Sequence, residues 1–399
     1  MLSPRRVVVP LAALVIGAAL VPPPPAYGGE IDLDVFAGTG TAGSTGDAGP
    51  ASAASLDHPG GVAVAADGTV YISDGGNRRV RAVAPDGTIS TVAGTGRAGT
   101  PGTAVPDGTS GTDVDLALPQ SLAIGPDNAL YVADPGLARV FRLTPDGRMS
   151  VLAGTGVPGP IGDGGPAPRA SFGQLGGLAV APDGTVYIGD VRNHRVRAVA
   201  PDGTIDTVAG NGNSQLTAAG GAATAIPVPS PGSLAVDAGG VVWIADGLVV
   251  HRLHGGQLGT VTLPDQPDGA RWELSEAASW PPPEAPLNNI AAITAVGDQV
   301  YVLDQSARTL LRLGTGAGLD TVAALDAAEG PVLGPVAVAA SGVGYLVDNA
   351  GHRVYSFRPA PPGSESPEAG SSVPWWPFAA AAAVLVVIAG WLIRRRRAR

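Results

Sequence analysis

The strongest constraint on this chain is an internal repeat. Residues 61–96 read GVAVAADGTVYISDGGNRRVRAVAPDGTISTVAGTG, and residues 177–212 read GLAVAPDGTVYIGDVRNHRVRAVAPDGTIDTVAGNG. A further copy fills residues 121–156. Three weaker copies follow, beginning at Ser233, Ala292 and Val336. A unit that recurs in this way buries its apolar surface against neighbouring copies. We therefore predict six stacked copies of one supersecondary unit.

Each copy divides into four short strands. In the first copy these are strand a at 62–64, strand b at 70–73, strand c at 80–83 and strand d at 89–93. Asp67-Gly68 and Pro85-Asp86-Gly87 are tight-turn sequences between them. The strands are apolar on both faces, as expected of a sheet packed between two others. Four-stranded units in radial repetition are β-propeller blades. The predicted fold class is all-β, a six-bladed β-propeller of four-stranded blades.

The last copy ends at Phe357 and lacks strand d. Residues 31–36, followed by Ala-Gly-Thr-Gly at 37–40, match the end of the first copy at 91–96. We predict that this N-terminal strand completes blade six and closes the ring, because closure removes the exposed strand edges.

The two ends of the chain predict export and membrane anchoring. Two arginines, a 15-residue apolar run and Ala26-Tyr27-Gly28 are typical of a secretory signal peptide, with an uncleaved N-terminal anchor as the alternative. Near the C-terminus, 19 apolar residues precede a run of arginines, which favours a spanning helix with a cytoplasmic tail. The predicted domains are a signal peptide at 1–28, the propeller at 29–358, a linker at 359–374, a transmembrane helix at 375–393 and a basic tail at 394–399.

Charge and cysteine content exclude several classes of protein. Residues 29–374 carry 17 arginines against 34 acidic residues, a net charge of −17, which disfavours nucleic acid as a partner. There is no cysteine, so the chain is not a disulfide scaffold. Every one of the 24 basic residues is arginine. Together with the 59 glycines and 38 prolines, this composition is typical of a GC-rich bacterial proteome.

The repeat resembles a known family. The pattern Pro-x-Gly-(apolar)-Ala-Val, then Tyr-Ile-x-Asp, then Asn-(Arg/His)-Arg-Val, is similar to the NHL repeat over about residues 31–358. GDAGPA at 46–51 and GDGGPA at 162–167 resemble the bacterial and teneurin-like branch. The resemblance implies a binding platform, since most NHL propellers are binding domains, including a mycobacterial receptor-kinase sensor and RNA-binding domains. Some relatives are enzymes, among them a zinc-dependent amidating lyase and metal-dependent lactonases, so the fold alone does not decide the function.

An aspartate ends strand b in all six copies, and an arginine follows five residues later in four of them. We predict a structural ring in which each aspartate accepts hydrogen bonds from its own b–c loop and pairs with its arginine. A ligand site is the alternative, although a feature present in every blade lacks the asymmetry of a site. The ring residues are Asp74, Asp134, Asp190, Asp246, Asp304, Asp348, Arg79, Arg139, Arg195 and Arg353.

We predict no catalytic residues, no cofactor and no metal site. The strand a segments contain no acidic residue, histidine or asparagine, and a Gly-x-Ser-x-Gly elbow is absent. His58, His194 and His352 should lie on one face, which keeps zinc as an alternative, but no two histidines have a close metal-binding spacing. Asp47 and Asp163 are interpreted as turn residues, with calcium as the alternative.

The predicted ligand-binding residues are His58, Gln174, Trp272 and Trp280. His58 and Gln174 occupy the same repeat position, just before strand a. The tryptophans belong to an insertion at 263–289, and exposed tryptophan is enriched in binding hot spots, although packing onto blades four and five would also explain them. The sequence thus favours a cell-surface module that binds an envelope glycan, peptide or protein. The alternatives are a metal-dependent hydrolase or lyase and a structural display module.

Overall fold

The described part of the chain forms six antiparallel sheets, one for each repeat copy. A computed structural model describes residues 33–215, 220–247, 249–261, 290–305, 309–314, 318–324 and 333–358. The innermost strands of the six sheets contact one another in cyclic order, and the last contacts the first. The predicted six-bladed β-propeller is therefore confirmed.

The strands follow the repeat along the chain. Blade six takes β1 (Asp34–Ala37), and blade one consists of β2 (Pro59–Val64), β3 (Val70–Asp74), β4 (Arg79–Val83) and β5 (Ile89–Ala93). Blade two consists of β6 (Thr109–Ser110), β7 (Leu122–Ile124), β8 (Leu130–Asp134), β9 (Arg139–Leu143) and β10 (Arg148–Ala153). Blade three consists of β11 (Gly165–Pro166), β12 (Leu175–Val180), β13 (Val186–Asp190), β14 (Arg195–Val199) and β15 (Thr204–Ala209). Blade four consists of β16 (Gly220–Ala222), β17 (Pro231–Val236), β18 (Val242–Asp246), β19 (Val249–His254) and β20 (Gln257–Val261). Blade five consists of β21 (Ile290–Val296), β22 (Gln299–Asp304), β23 (Thr309–Gly314) and β24 (Gly318–Ala324), and blade six adds β25 (Leu333–Val338), β26 (Gly344–Asp348) and β27 (Arg353–Phe357).

Three blades have five strands where four were predicted. In blades two, three and four, the loop that enters the blade adds a short outermost strand, β6, β11 or β16, beside strand d. In blade one the same loop makes a single bridge between Pro50 and Thr88. Each loop then forms a 3₁₀ turn that buries small apolar residues such as Ala51. The interblade loops are thus part of the fold.

The ring is closed by β1. It pairs antiparallel with β27, with Asp34 opposite Ser356 and Ala37 opposite Val354, so the sheet order is β1-β27-β26-β25. This confirms closure by the N-terminal strand, although the strand covers Asp34–Ala37 and residues 31–32 lie outside the described residues. Ala37 is fully buried, and the Phe36 ring packs edge-on against Tyr345 with 4.7 Å between centroids.

The hydrophobic core lies between adjacent sheets. At the junction of blades six and one, Val62 and Ile72 of blade one pack with Val347 and Val354 of blade six. Leu56, from the loop that enters blade one, completes this cluster. Both faces of each sheet are thus covered, which explains why the strands are apolar on both faces.

The six strand a segments surround an axial cavity of about 240 Å³. Its lining consists of glycine, alanine, serine, threonine, proline and aliphatic residues. The inner strands approach closely, because a Cβ on Gly61 would lie 2.1 Å from the Gln120 carbonyl oxygen and one on Gly177 would lie 2.5 Å from the Leu234 nitrogen. Small residues therefore set how tightly the blades meet at the axis.

The predicted terminal segments lie outside the described residues. These are the signal peptide at 1–28, the linker at 359–374, the transmembrane helix at 375–393 and the tail at 394–399. Within the described ranges, no helix is both long and apolar enough to cross a membrane.

Candidate binding face and its buried supports

The six repeated aspartates end the strand b of their blades and are buried, with at most 4% of each exposed. The Asp134 carboxylate accepts hydrogen bonds from the amides of Ala117 (2.7 Å), Leu118 (2.9 Å) and Leu137 (3.1 Å). Asp74 accepts in the same way from the Asp57 amide at 2.7 Å. Each aspartate of this kind ties its b–c turn or strand end to the segment that leads into strand a.

The predicted pairing of these aspartates with the arginines five residues later is wrong. Asp74 and Arg79 are backbone partners across the hairpin, but their side chains take different partners. The guanidiniums of Arg79 and Arg353 donate to carbonyl oxygens in the Gly-Thr-Gly segments after strand d, those of Thr95 (3.4 Å) and Thr39 (3.0 Å) respectively. Arg139 donates to the equivalent Thr155 carbonyl at 3.0 Å. These arginines therefore hold the interblade segments in place.

A different arginine pairs with the acidic residues. Arg81, two positions after Arg79, is fully buried and donates to Asp47 through Nη2 (2.7 Å) and Nε (3.1 Å). Its Nη1 lies 3.4 Å from the Asp74 carboxylate, and Thr91 donates to the other oxygen of Asp47 at 2.8 Å. Asp47 thus anchors the interblade loop to a buried cation.

Blades three and four use equivalent buried groups. In blade three, Arg197 is 1% exposed and pairs with Asp163 at 2.5 Å, and Thr207 donates to the same carboxylate at 2.7 Å. In blade four, the fully buried His251 takes this place and lies 3.3 Å from Asp246. The signal in the sequence was the spacing, because Asp47 precedes Arg81 by 34 residues and Asp163 precedes Arg197 by the same number.

The loop face is the end of the ring that carries the b–c turns and the segments leading into strand a. His58, Leu118 and Gln174 occupy equivalent positions on this face and are exposed, and Ser230 at the next equivalent position is partly exposed. His58 and Gln174 belong to blades one and three, so the structure does not bring them together. The other two predicted binding residues, Trp272 and Trp280, lie outside the described residues.

One residue in each of four b–c turns adopts the left-handed conformation, and the two histidines among them reach the next blade. These residues are Arg78, Ala138, His194 and His352, with φ between 50° and 56°. His194 Nδ1 donates to the Pro229 carbonyl oxygen of blade four. His352 Nδ1 instead accepts from the His58 amide of blade one at 3.1 Å. The two equivalent histidines therefore carry their ring protons on different nitrogens.

The contact of His352 assembles a cluster at the junction of blades six and one. His58 Nδ1 lies 2.6 Å from Asp57 Oδ1, and His352 Nδ1 lies 3.6 Å from the same oxygen. The two imidazoles stack edge-on with 4.8 Å between centroids. The sequence did not reveal this cluster, because His58 and His352 are 294 residues apart and meet only through ring closure.

Because these aspartates are buried, we expect the free energy of unfolding to depend on pH in a specific way. Burial raises the pKa of the Asp134 carboxyl above its ordinary value of 3.8, and its amide hydrogen bonds offset part of this effect. As the pH rises above 3.8, the unfolded chain loses this proton before the folded chain does. The contribution of the Asp134 carboxyl to the stability of the folded protein therefore falls. We expect Asp134→Asn to gain stability relative to wild type between pH 4 and pH 7, as measured by urea unfolding.

Asp86 provides the control for this experiment. It is exposed, and the Thr88 amide lowers the pKa of its carboxyl. The stabilisation that the Asp86 carboxylate contributes is therefore present above pH 3.8 and is lost as the pH falls through the lowered pKa. Relative to wild type, Asp86→Asn should lose stability as the pH rises from the lowered pKa to about 3.8, and it should change little between pH 4 and pH 7. An Asp134→Asn variant whose stability runs parallel to wild type from pH 4 to pH 7 would contradict the prediction.

Comparisons with known proteins agree with this geometry. The family profile of the teneurin NHL domain matches residues 31–162, and that of the NHL repeat matches residues 172–199. Teneurin-m of Drosophila melanogaster is 32% identical over 175 residues, which are 41% of this chain and 6% of the relative. Teneurin-3 of Mus musculus is 30% identical over 243 residues, which are 54% of this chain and 9% of the relative. The chain thus spans less than a tenth of these relatives.

A solved structure shares the fold. A gluconolactonase from Xanthomonas campestris superposes with a TM-score of 0.51 at 13% identity, covering 84% of this chain and 92% of the lactonase. At that identity the likeness concerns the fold alone. The repeat pattern, the six closed sheets and the matching profiles together identify this protein as an NHL-repeat β-propeller.

Proposed function

We propose that this protein is a binding module of the cell surface that takes an extracellular protein, peptide or glycan on its loop face. The observation that carries the proposal is the construction of that face. A repeated framework of buried aspartates and amides supports exposed positions that differ between blades, namely His58, Leu118 and Gln174. A rigid scaffold with variable exposed positions suits recognition of an asymmetric partner.

The similarity to the teneurin NHL domain supports an interaction function. The acidic charge of the chain argues against nucleic acid as the partner. Catalysis is the alternative, as a metal-dependent hydrolase or lyase. The axial cavity offers mainly backbone groups and small or aliphatic side chains, which are poor general acids, bases and metal ligands. Binding therefore fits the described residues better than chemistry at the axis does.

The cell-surface location is part of the proposal. It depends on the apolar segments at 7–21 and 375–393 and on the arginines that follow the second one. In this arrangement residues 29–358 face the outside of a bacterial cell, and the C-terminus is cytoplasmic.

A binding screen tests the proposal. The full-length chain, in detergent, is screened against secreted proteins and envelope glycans, and each hit is remeasured with Gln174→Arg and with the double variant Trp272→Ala, Trp280→Ala. We expect at least one of these to weaken binding tenfold or more, about 1.4 kcal/mol, with an unchanged melting temperature. The matched control is Ala66→Arg, an exposed turn position at the opposite end of blade one.

Two outcomes would contradict this proposal. One is a hit that only Ala66→Arg weakens, since the binding face would then be the opposite one. The other is turnover of a screened compound by the wild-type chain, which would favour the enzymatic alternative.

A further inference from the structure

Three metal-ligating side chains converge where the ring closes. Asp57, His58 and His352 each offer a ligand atom, and these atoms all lie within 4.8 Å of one another. We propose that they form a binding site for a divalent transition-metal ion of the zinc type. Imidazole nitrogens with one carboxylate are a common donor set for such ions.

Two of the three distances between ligand atoms differ by less than about 1 Å from those around a coordinated ion. Bonds of about 2.0–2.1 Å in tetrahedral geometry place the ligand atoms roughly 3.4 Å apart. His352 Nδ1 and Asp57 Oδ1 are already 3.6 Å apart. His58 Nδ1 is closer to that oxygen, at 2.6 Å, because a proton lies between them. An ion would replace this proton after an outward shift of the imidazole by less than about 1 Å, and the His58 side chain is 59% exposed and has room to move.

The protonation state of His352 also suits a ligand. Its Nδ1 accepts from the His58 amide, so this nitrogen is unprotonated, and a bound ion would take over the lone pair that now accepts from the amide. A metal ligand must be unprotonated at the coordinating atom. The equivalent His194 of blade three donates through Nδ1 to a carbonyl oxygen, and that nitrogen is therefore not available. Of these two equivalent histidines, only His352 therefore has an unprotonated Nδ1, and coordination there would cost its hydrogen bond with the His58 amide.

The carboxylate is held in position by its own backbone. The Asp57 amide donates to Asp74 at 2.7 Å, and the Asp57 carbonyl accepts from the Gly76 amide at 2.8 Å. Groups that orient a ligand in this way strengthen metal binding. His58 is in the left-handed conformation, with φ of 47°, which is uncommon for a residue that is not glycine. Among the described residues at its repeat position, His58 is alone in this conformation.

The cluster is not a by-product of the repeat. The positions equivalent to Asp57 hold Ala117, Gly173 and Pro229. The positions equivalent to His58 hold Leu118, Gln174 and Ser230. The donor set therefore belongs to one blade junction among those that share this loop, the one where the chain closes on itself. An ion bound there would link blade six to blade one and stabilise the closed ring.

Cobalt titration tests the site. The full-length chain, purified in detergent without a histidine tag and freed of metal with a chelator, is titrated with Co²⁺ while its visible absorption is recorded. We expect one ion per chain, displaced by Zn²⁺. Asp57→Asn and His352→Asn should each weaken Co²⁺ binding at least tenfold. Asparagine tolerates the left-handed conformation, so the second variant keeps the backbone of the turn.

His194→Asn is the matched control, because it makes the same change at the equivalent position of blade three. It should bind Co²⁺ as wild type does. A second measurement is the melting temperature, which Zn²⁺ should raise in wild type and in His194→Asn but not in His352→Asn.

The proposal is overturned if wild type binds no Co²⁺, or if Asp57→Asn and His352→Asn bind it with wild-type affinity. It is also overturned if His194→Asn loses as much affinity as His352→Asn. None of these measurements involves a partner, so failure of the binding screen leaves them unaffected.

Discussion

A chain that begins at residue 41 is expected to melt about 10 °C or more below one that begins at residue 29, or to lose its cooperative transition. Deletion removes β1, in which Ala37 is fully buried and Phe36 packs on Tyr345. It also uncovers Val354, which is fully buried in the closed ring. Loss of this apolar burial should cost on the order of 5 kcal/mol, a large part of a typical stability of about 5–15 kcal/mol.

The measurement is thermal unfolding followed by circular dichroism. The control is Val35→Thr, which changes a side chain in β1 that is 43% exposed and should alter stability by less than about 0.5 kcal/mol. Equal melting temperatures for the two chain lengths would show that β1 contributes nothing to the ring.

Arg81→Met is expected to destabilise the protein by about 3–5 kcal/mol. The guanidinium is fully buried, and its removal leaves the Asp47 carboxylate without this donor and the buried Asp74 carboxylate without the adjacent positive charge. A buried charge that loses its partner keeps its desolvation penalty. Urea unfolding of the variant and of wild type gives the difference.

Arg142→Met provides the matched control. Arg142 pairs with Asp127, and the two side chains are 32% and 44% exposed. A surface pair contributes about 0–1 kcal/mol, so this variant should cost much less than Arg81→Met. Equal losses of stability in the two variants would show that burial of Arg81 does not increase the cost of removing its charge. A double-mutant cycle with Asp47→Asn then isolates the coupling of Arg81 to Asp47.

The sequence determined the number of blades, the order of their strands and the closure by the N-terminal segment. These features can be found by comparing the copies of the repeat with one another. Strand d of the first copy was predicted at 89–93 and is observed as Ile89–Ala93. The outermost strands β6, β11 and β16 were missed because each is only two or three residues long, and because β11 and β16 consist of glycine, proline and alanine, which have little β-propensity. They form only because strand d presents an edge for them to pair with.

The partners of the charged side chains were decided by the tertiary structure. Adjacency in the hairpin suggested that Asp74 pairs with Arg79, but burial placed Asp74 among amides and beside Arg81. The interblade loop brings Asp47 to Arg81 across 34 residues, and ring closure brings His58 to His352 across 294. A local pattern fixes which residues share a strand or turn. Which side chains meet across blades depends on how the sheets pack and on where the chain closes, and these relations are absent from any single copy of the repeat.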